Sequence, residues 1–117
     1  MTTPTTTVRL PHHNLVAYQV AREFLLAVHH ANISDAKLRD EATRAAKSTC
    51  LNIAEGAGRV TRADKARAFA IARGEAVEAI AAIELANDLG EVDPNSVQRC
   101  TVLASRLVAL ISGLLRR

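Results

Sequence analysis

The sequence predicts an all-α chain: an antiparallel up-down-up-down four-helix bundle. Three observations predict it. Apolar residues recur at spacings of three and four through four successive segments, and no alternation of polarity suggests a strand. Each segment is bounded by residues that start or stop helices. The connections are short, which favours antiparallel neighbours.

Residues 1–13 hold five threonines and both Pro4 and Pro11 without a periodic apolar face, and are read as a disordered tail preceding a bundle over residues 14–117. Asn14 is a good cap for a first helix, whose apolar stripe is Ala17, Ala21, Phe24 and Val28, widened by Tyr18 and Leu25. The pattern lapses from His29 to Ile33. Ser34 offers a fresh cap before a second helix marked by Leu38, Ala42, Ala45, Thr49 and Ile53, ending near Ala57. Gly56 and Gly58 are expected to end it in left-handed conformations, which glycine adopts at little steric cost.

Thr61 with Asp64 three residues on forms a start signal for a third helix from about Arg62. Alanine-rich and free of proline, it continues to about Leu89, with Gly90 as its stop. Gly74 inside this helix costs about 1 kcal/mol relative to alanine, so close helix contact is expected there. Asp93 followed by Pro94 places a capping carboxylate before a residue preset for a first helical turn. The fourth helix runs to about Leu115. Val97, Ala104, Leu107, Val108, Ile111 and Leu115 form one stripe, and Leu103, Leu110 and Leu114 a second.

The second stripe points to association. The chain has 117 residues, 49% of them hydrophobic and 3% aromatic, enough for one domain core. Its 22 alanines make thin helices and a lean interior. Burying Leu103, Leu110 and Leu114 against another subunit would contribute roughly 1.5–3 kcal/mol each. Cys50 and Cys100 read as reduced, buried residues of a cytoplasmic protein rather than a disulfide framework. Residues 102–115 fall short of the roughly 20 needed to cross a bilayer, so no membrane partner is expected.

The net charge of +3 conceals a segregation. Residues 35–73 carry nine basic and five acidic side chains, whereas residues 74–93 carry six acidic and no basic ones. Arg59, Arg62, Lys65 and Arg67 should gather near one end of an antiparallel bundle, and a ring would multiply them into a basic rim suited to phosphate backbones. With few aromatics there is no stacking platform, so sequence-specific reading is not expected. Asn52, Glu55, Arg59, Arg73 and Glu78 are placed as a structural polar network between the second and third helices, because a buried carboxylate without a partner is expensive.

The histidine pairs, His12-His13 and His29-His30, lack cysteine or carboxylate at ligand spacing, and no Glu-x-x-His motif is present. No metal or cofactor is predicted. No nucleophile is paired with a base, so catalysis is the least supported class.

The segment from Asn52 to Arg59, followed by Ala72-Arg73-Gly74 and Glu78, resembles the signature of the small four-helix-bundle family encoded in intervening sequences of 23S rRNA genes. Its relatives include the accessory variability determinants of diversity-generating retroelements. Leu15, Tyr18, Gln19 and Ala21 resemble that family's first-helix opening, Arg44, Ala45, Ala46 and Ser48 its second helix, and Leu89-Gly90 its third-helix stop. Cys50, where relatives often carry proline, and Glu75, where serine is common, depart from the pattern. The first departure predicts a straighter second helix.

The resemblance implies a ring, commonly a pentamer, with no established enzymatic reaction; the retroelement relatives bind nucleic acid and a reverse transcriptase. The expected function is therefore a non-enzymatic oligomer that contacts RNA or DNA backbone, with a reverse transcriptase as a further candidate partner. The competing expectation is a structural or protein-interaction oligomer that uses the acidic Glu75, Glu78, Glu84, Asp88, Glu91 and Asp93 and has no nucleic-acid role.

Overall fold

The computed structural model describes residues 9–117, so residues 1–8 of the expected tail lie outside the described residues. Pro11–Asn14 form a single 3-10 turn, which sequence reasoning had divided between the tail and a cap. Proline fits its first position because no helical N–H is needed there. The Leu10 N–H donates to His13 Nδ1 at 3.1 Å, and the His12 ring meets Tyr18 edge-on at 4.7 Å. This turn moves the start of the first helix: α1, Val16–Ala31, is preceded by Leu15 as its cap residue, not by Asn14.

Helix α1 stops at Asn32, which takes a left-handed conformation (φ 50°) open to asparagine. The cap of α2, Ala36–Gly58, is Asp35 rather than Ser34, its carboxylate accepting from the Leu38 N–H at 2.8 Å. Ser34 has a different task. Its N–H and hydroxyl both donate to the Glu91 carbonyl at 3.1 Å, tying the α1–α2 loop to the loop before the last helix. Arg39 adds a donor to the Ile33 carbonyl at 3.0 Å.

The two glycines at the end of α2 do not act as expected. Among the described residues only Asn32 and Gly90 have positive φ, so α2 runs through both Gly56 and Gly58 and ends where Arg59 becomes extended. Gly56 is buried for a packing reason instead: a Cβ built on it would lie 2.6 Å from Cδ1 and Cε1 of Phe69. Helix α2 is also continuous through Cys50.

Helix α3, Arg62–Asp88, begins as the spacing predicts, with the Thr61 hydroxyl accepting from the Asp64 N–H at 3.1 Å. Gly90 (φ 71°) ends it, and the Glu91 N–H returns to the Ala86 carbonyl at 2.9 Å. Gly74 corrects the expectation of close contact, since nothing lies within 4 Å of its would-be Cβ. The last helix, α4, Pro94–Leu115, starts under Asp93, which accepts from the Ser96 N–H at 3.0 Å and its hydroxyl at 2.7 Å.

Each helix packs on its neighbours in chain order and α4 closes back on α1, with α2 against α3 the most extensive pair. No strand occurs among the described residues. Phe24, Ile33, Ile53, Ile83, Leu107 and Ile111 are fully buried at the centre. Buried alanines on α2 (Ala42, Ala45, Ala46) and α3 (Ala72, Ala76, Ala79) keep side-chain bulk out of the interior.

Leu103 belongs to this intramolecular core at 5% exposure and is not free to contact another subunit; Leu110 and Leu114 are half-buried against the same core. The exposed large apolar side chains lie elsewhere, including Ile71, Val77 and Leu85 of α3 and Val102 of α4. By length and composition the whole of α4, 22 residues with a window of mean hydropathy 1.3, reaches the bilayer-crossing range that residues 102–115 alone do not. In the bundle its Cys100, Leu103, Ala104, Leu107 and Ile111 are core residues.

Candidate functional site

The end of α2, the start of α3 and the end of α4 meet at one pole of the bundle, where Ala57, Arg62, Phe69 and Leu115 line a common cleft. That topology brings Arg59, Arg62, Lys65 and Arg67 together with Arg116 and Arg117, six basic side chains against the acidic Glu55 and Asp64. The opposite pole gathers Asp35, Asp88, Glu91 and Asp93 around the other two loops, with Lys37 and Arg39 of the first turn of α2 offsetting part of their charge. The molecule is electrostatically bipolar.

The four predicted phosphate contacts are not equivalent. Arg59 pairs with Glu55 at 3.3 Å, one turn back along the chain. Lys65 donates its ammonium to the Ala57 carbonyl at 3.0 Å and the Gly56 carbonyl at 3.4 Å, satisfying the end of α2. Arg67 is exposed beside Asp64, Glu55 and Arg59. Arg62 is exposed at the first position of α3, with no acidic side chain in ion-pair contact among the described residues. Arg62 and Arg67 are therefore the predicted cations left most available to a ligand.

The predicted polar network does not form as one unit. Asn52 donates to the Ser48 carbonyl and hydroxyl on its own helix, at 2.9 and 3.1 Å. Arg73 Nε donates to the Ser112 hydroxyl at 2.9 Å, bridging α3 to α4. Glu78 turns to Arg44, which is the actual node: its guanidinium reaches Glu41 and Glu78 at 2.6 Å and Glu75 at 2.9 Å, joining α2 to α3. Sequence reasoning missed that role, although Glu75 and Glu78 share a helix face. The link from Arg44 to α3 becomes visible only when the register of α2 on α3 is known.

Three carboxylates around one cation divide the protonation. The Arg44 hydrogen bond holds the Glu41 carboxyl below its usual range, and holds Glu75 low as well, with the Ser48 hydroxyl assisting. Glu78 moves the other way, its carboxyl pushed up by its hydrogen bond to Glu41 against the pull of Arg44. Arg44 itself is held more firmly protonated by the carboxylates it binds.

His12 and His13 build the 3-10 turn, while the His29 and His30 rings meet edge-on at 5.4 Å. No cluster of three or more potential metal-ligating side chains occurs among the described residues. Cys50 and Cys100 are free and buried, and burial pushes each thiol up to about 11, which keeps both in the unreactive thiol form at neutral pH. An open groove of about 740 Å³ runs along α2, lined by His29, Arg39, Thr43, Lys47 and Leu51 among others. Its three-to-four spacing is legible in the sequence but is equally that of an ordinary solvated helix face.

A family model described as 23S rRNA-intervening sequence protein matches residues 13–113. No curated protein matches the chain.

Proposed function

The chain belongs to the 23S rRNA-intervening sequence protein family, and on that footing we propose that it is a non-enzymatic oligomer that holds nucleic-acid backbone at its basic pole. The observation that carries this reading is the convergence of six basic and only two acidic side chains where three helix ends meet. Such a surface attracts phosphate by charge and counterion release and does not need to read bases. Arg62 and Arg67 supply the principal contacts, with Arg59 contributing after release from Glu55 and Lys65 adding its charge while it caps α2.

Self-association, as a ring of the pentameric kind, multiplies the basic pole and so raises affinity for a continuous backbone. Two features of the chain support association. On α4 Val102 stands exposed, and the outward side of α3 exposes Ile71, Val77 and Leu85. A protein that itself handles nucleic acid, such as a reverse transcriptase, fits as a second partner on the same strand.

The test is binding to RNA and to duplex DNA at two salt concentrations. Affinity should fall steeply with salt and vary little with base sequence. Arg62→Glu combined with Arg67→Glu should weaken binding on all sequences and reduce the salt slope, without altering oligomer size. No binding at low salt defeats the reading. Retention of a protein partner after complete nuclease digestion, with no affinity for nucleic acid, would favour an interaction scaffold working through the acidic pole.

A further inference from the structure

The basic pole also contains a cleft of about 300 Å³. Its apolar lining includes Leu15 beside α1, Ala66 and Phe69 of α3, and Leu114 and Leu115 of α4. Phe69 is held in place because its ring lies across Gly56, while the other four remain half-buried and contribute open apolar surface. Among the described residues, the charged side chains along the cleft are Arg62, Lys65 and Arg117, all basic. None of the three is in an ion pair with an acidic side chain among the described residues. Lys65 uses two directions on the carbonyls of Gly56 and Ala57, which leaves a third N–H donor for a ligand.

This pairing of an apolar floor with cations specifies an occupant. A phosphate backbone would satisfy the charges and leave the floor wet. A nucleobase would bring hydrogen-bonding edges to a floor of aliphatic and phenyl groups, where they lose water without replacement. A neutral hydrocarbon would ignore the cations. An aliphatic body carrying one negative head answers both halves.

We propose that the cleft is a binding site for a medium-chain fatty carboxylate, its head on Arg62 and Lys65 and its chain over Phe69, Leu114 and Leu115. The volume of about 300 Å³, roughly ten water volumes, has room for an alkyl chain of about ten carbons. The head shares Arg62 and Lys65 with the phosphate contacts of the proposed function, so a fatty carboxylate and a nucleic-acid backbone would compete there, while the apolar floor serves the fatty carboxylate alone.

The experiment is calorimetric titration of the full chain with sodium decanoate below its micelle-forming concentration, with octanoate and decan-1-ol in parallel. Methyl NMR of Leu15, Leu114 and Leu115 locates the site. One saturable site per chain is expected. Octanoate should bind about tenfold more weakly, as two methylenes leave the floor, and decan-1-ol at least tenfold more weakly. Arg62→Gln should lower decanoate affinity several-fold, and Ala66→Phe, which fills the cleft, should abolish it. Absence of saturable binding overturns the proposal, as does undiminished binding to a folded Ala66→Phe chain. Should that variant fail to fold, the unaltered protein decides alone: equal affinity for decanoate and decan-1-ol, or indifference to chain length, overturns it.

Discussion

The ring of Phe69 lies across Gly56 so closely that a methyl group at residue 56 has no room, with 2.6 Å to two ring carbons. Gly56→Ala must therefore displace the ring or part α2 from α3. Overpacking of this kind costs about 1–3 kcal/mol, and chemical denaturation should show it as a lowered midpoint with an unchanged slope. Gly56→Ala combined with Phe69→Leu should recover part of the loss, because the smaller side chain vacates the contested space. The buried thiols supply a second prediction at this scale. Raised to about 11 by burial, Cys50 and Cys100 should resist iodoacetamide at neutral pH in the folded chain, and both should react once the chain is unfolded. Their burial was legible from helical spacing. The purpose of Gly56 was not, because a glycine near a helix end looks the same in sequence whether it turns the chain or makes room for a ring from another helix.

Helix boundaries were most legible where a side chain caps its own turn. Thr61 with Asp64, Asp93 with Pro94, and Gly90 all do what local chemistry dictates. The starts of α1 and α2 shifted by one residue because tertiary contacts compete: Ser34 is drawn to the Glu91 carbonyl, and the 3-10 turn occupies Asn14. Between elements, the Arg44 node joins α2 to α3 with carboxylates of opposite tendency. A carboxyl lowered on folding, as at Glu41 and Glu75, contributes stability above its ordinary range and loses it as pH falls through the folded value. Glu78, raised on folding, contributes below its ordinary range and loses that contribution as pH rises through its folded value. Glu78→Gln should therefore raise the urea midpoint relative to the unaltered chain at pH 7 and leave no gain at acidic pH. A gain of equal size at both pH values would mean that the side chain acts through shape, not charge. Arg44→Gln should destabilise most at neutral pH, where it leaves the carboxylates facing one another across the α2–α3 seam.

For the whole molecule, the apolar surface left over after folding is where sequence and structure differ most. Periodicity placed the excess on α4 at Leu103, Leu110 and Leu114, yet Leu103 is core, and the other two are half-buried against it. The fold instead leaves an outward strip on α3, with Ala70, Ile71, Gly74, Val77 and Leu85 all exposed. Periodicity marks one side of α3 through Ala66, Phe69, Arg73, Ala76, Ile80, Ile83 and Asn87, of which Phe69, Ala76 and Ile83 are core, but it does not weigh the apolar residues left on the open side, Ile71, Val77 and Leu85. Gly74 is the discriminating residue. In an isolated chain nothing lies near it, so Gly74→Ala should stabilise the fold by about 1 kcal/mol through helix propensity alone. If copies associate through this strip, Gly74→Leu and Val77→Glu should each shift the particle to monomer in sedimentation velocity while the far-ultraviolet dichroism stays helical. Leu103→Ala makes the contrast, since a large-to-small change in the core costs about 2–5 kcal/mol of stability without a selective effect on subunit number. Association that survives both α3 substitutions would move the interface to α4, where Val102 is the exposed apolar residue to replace next.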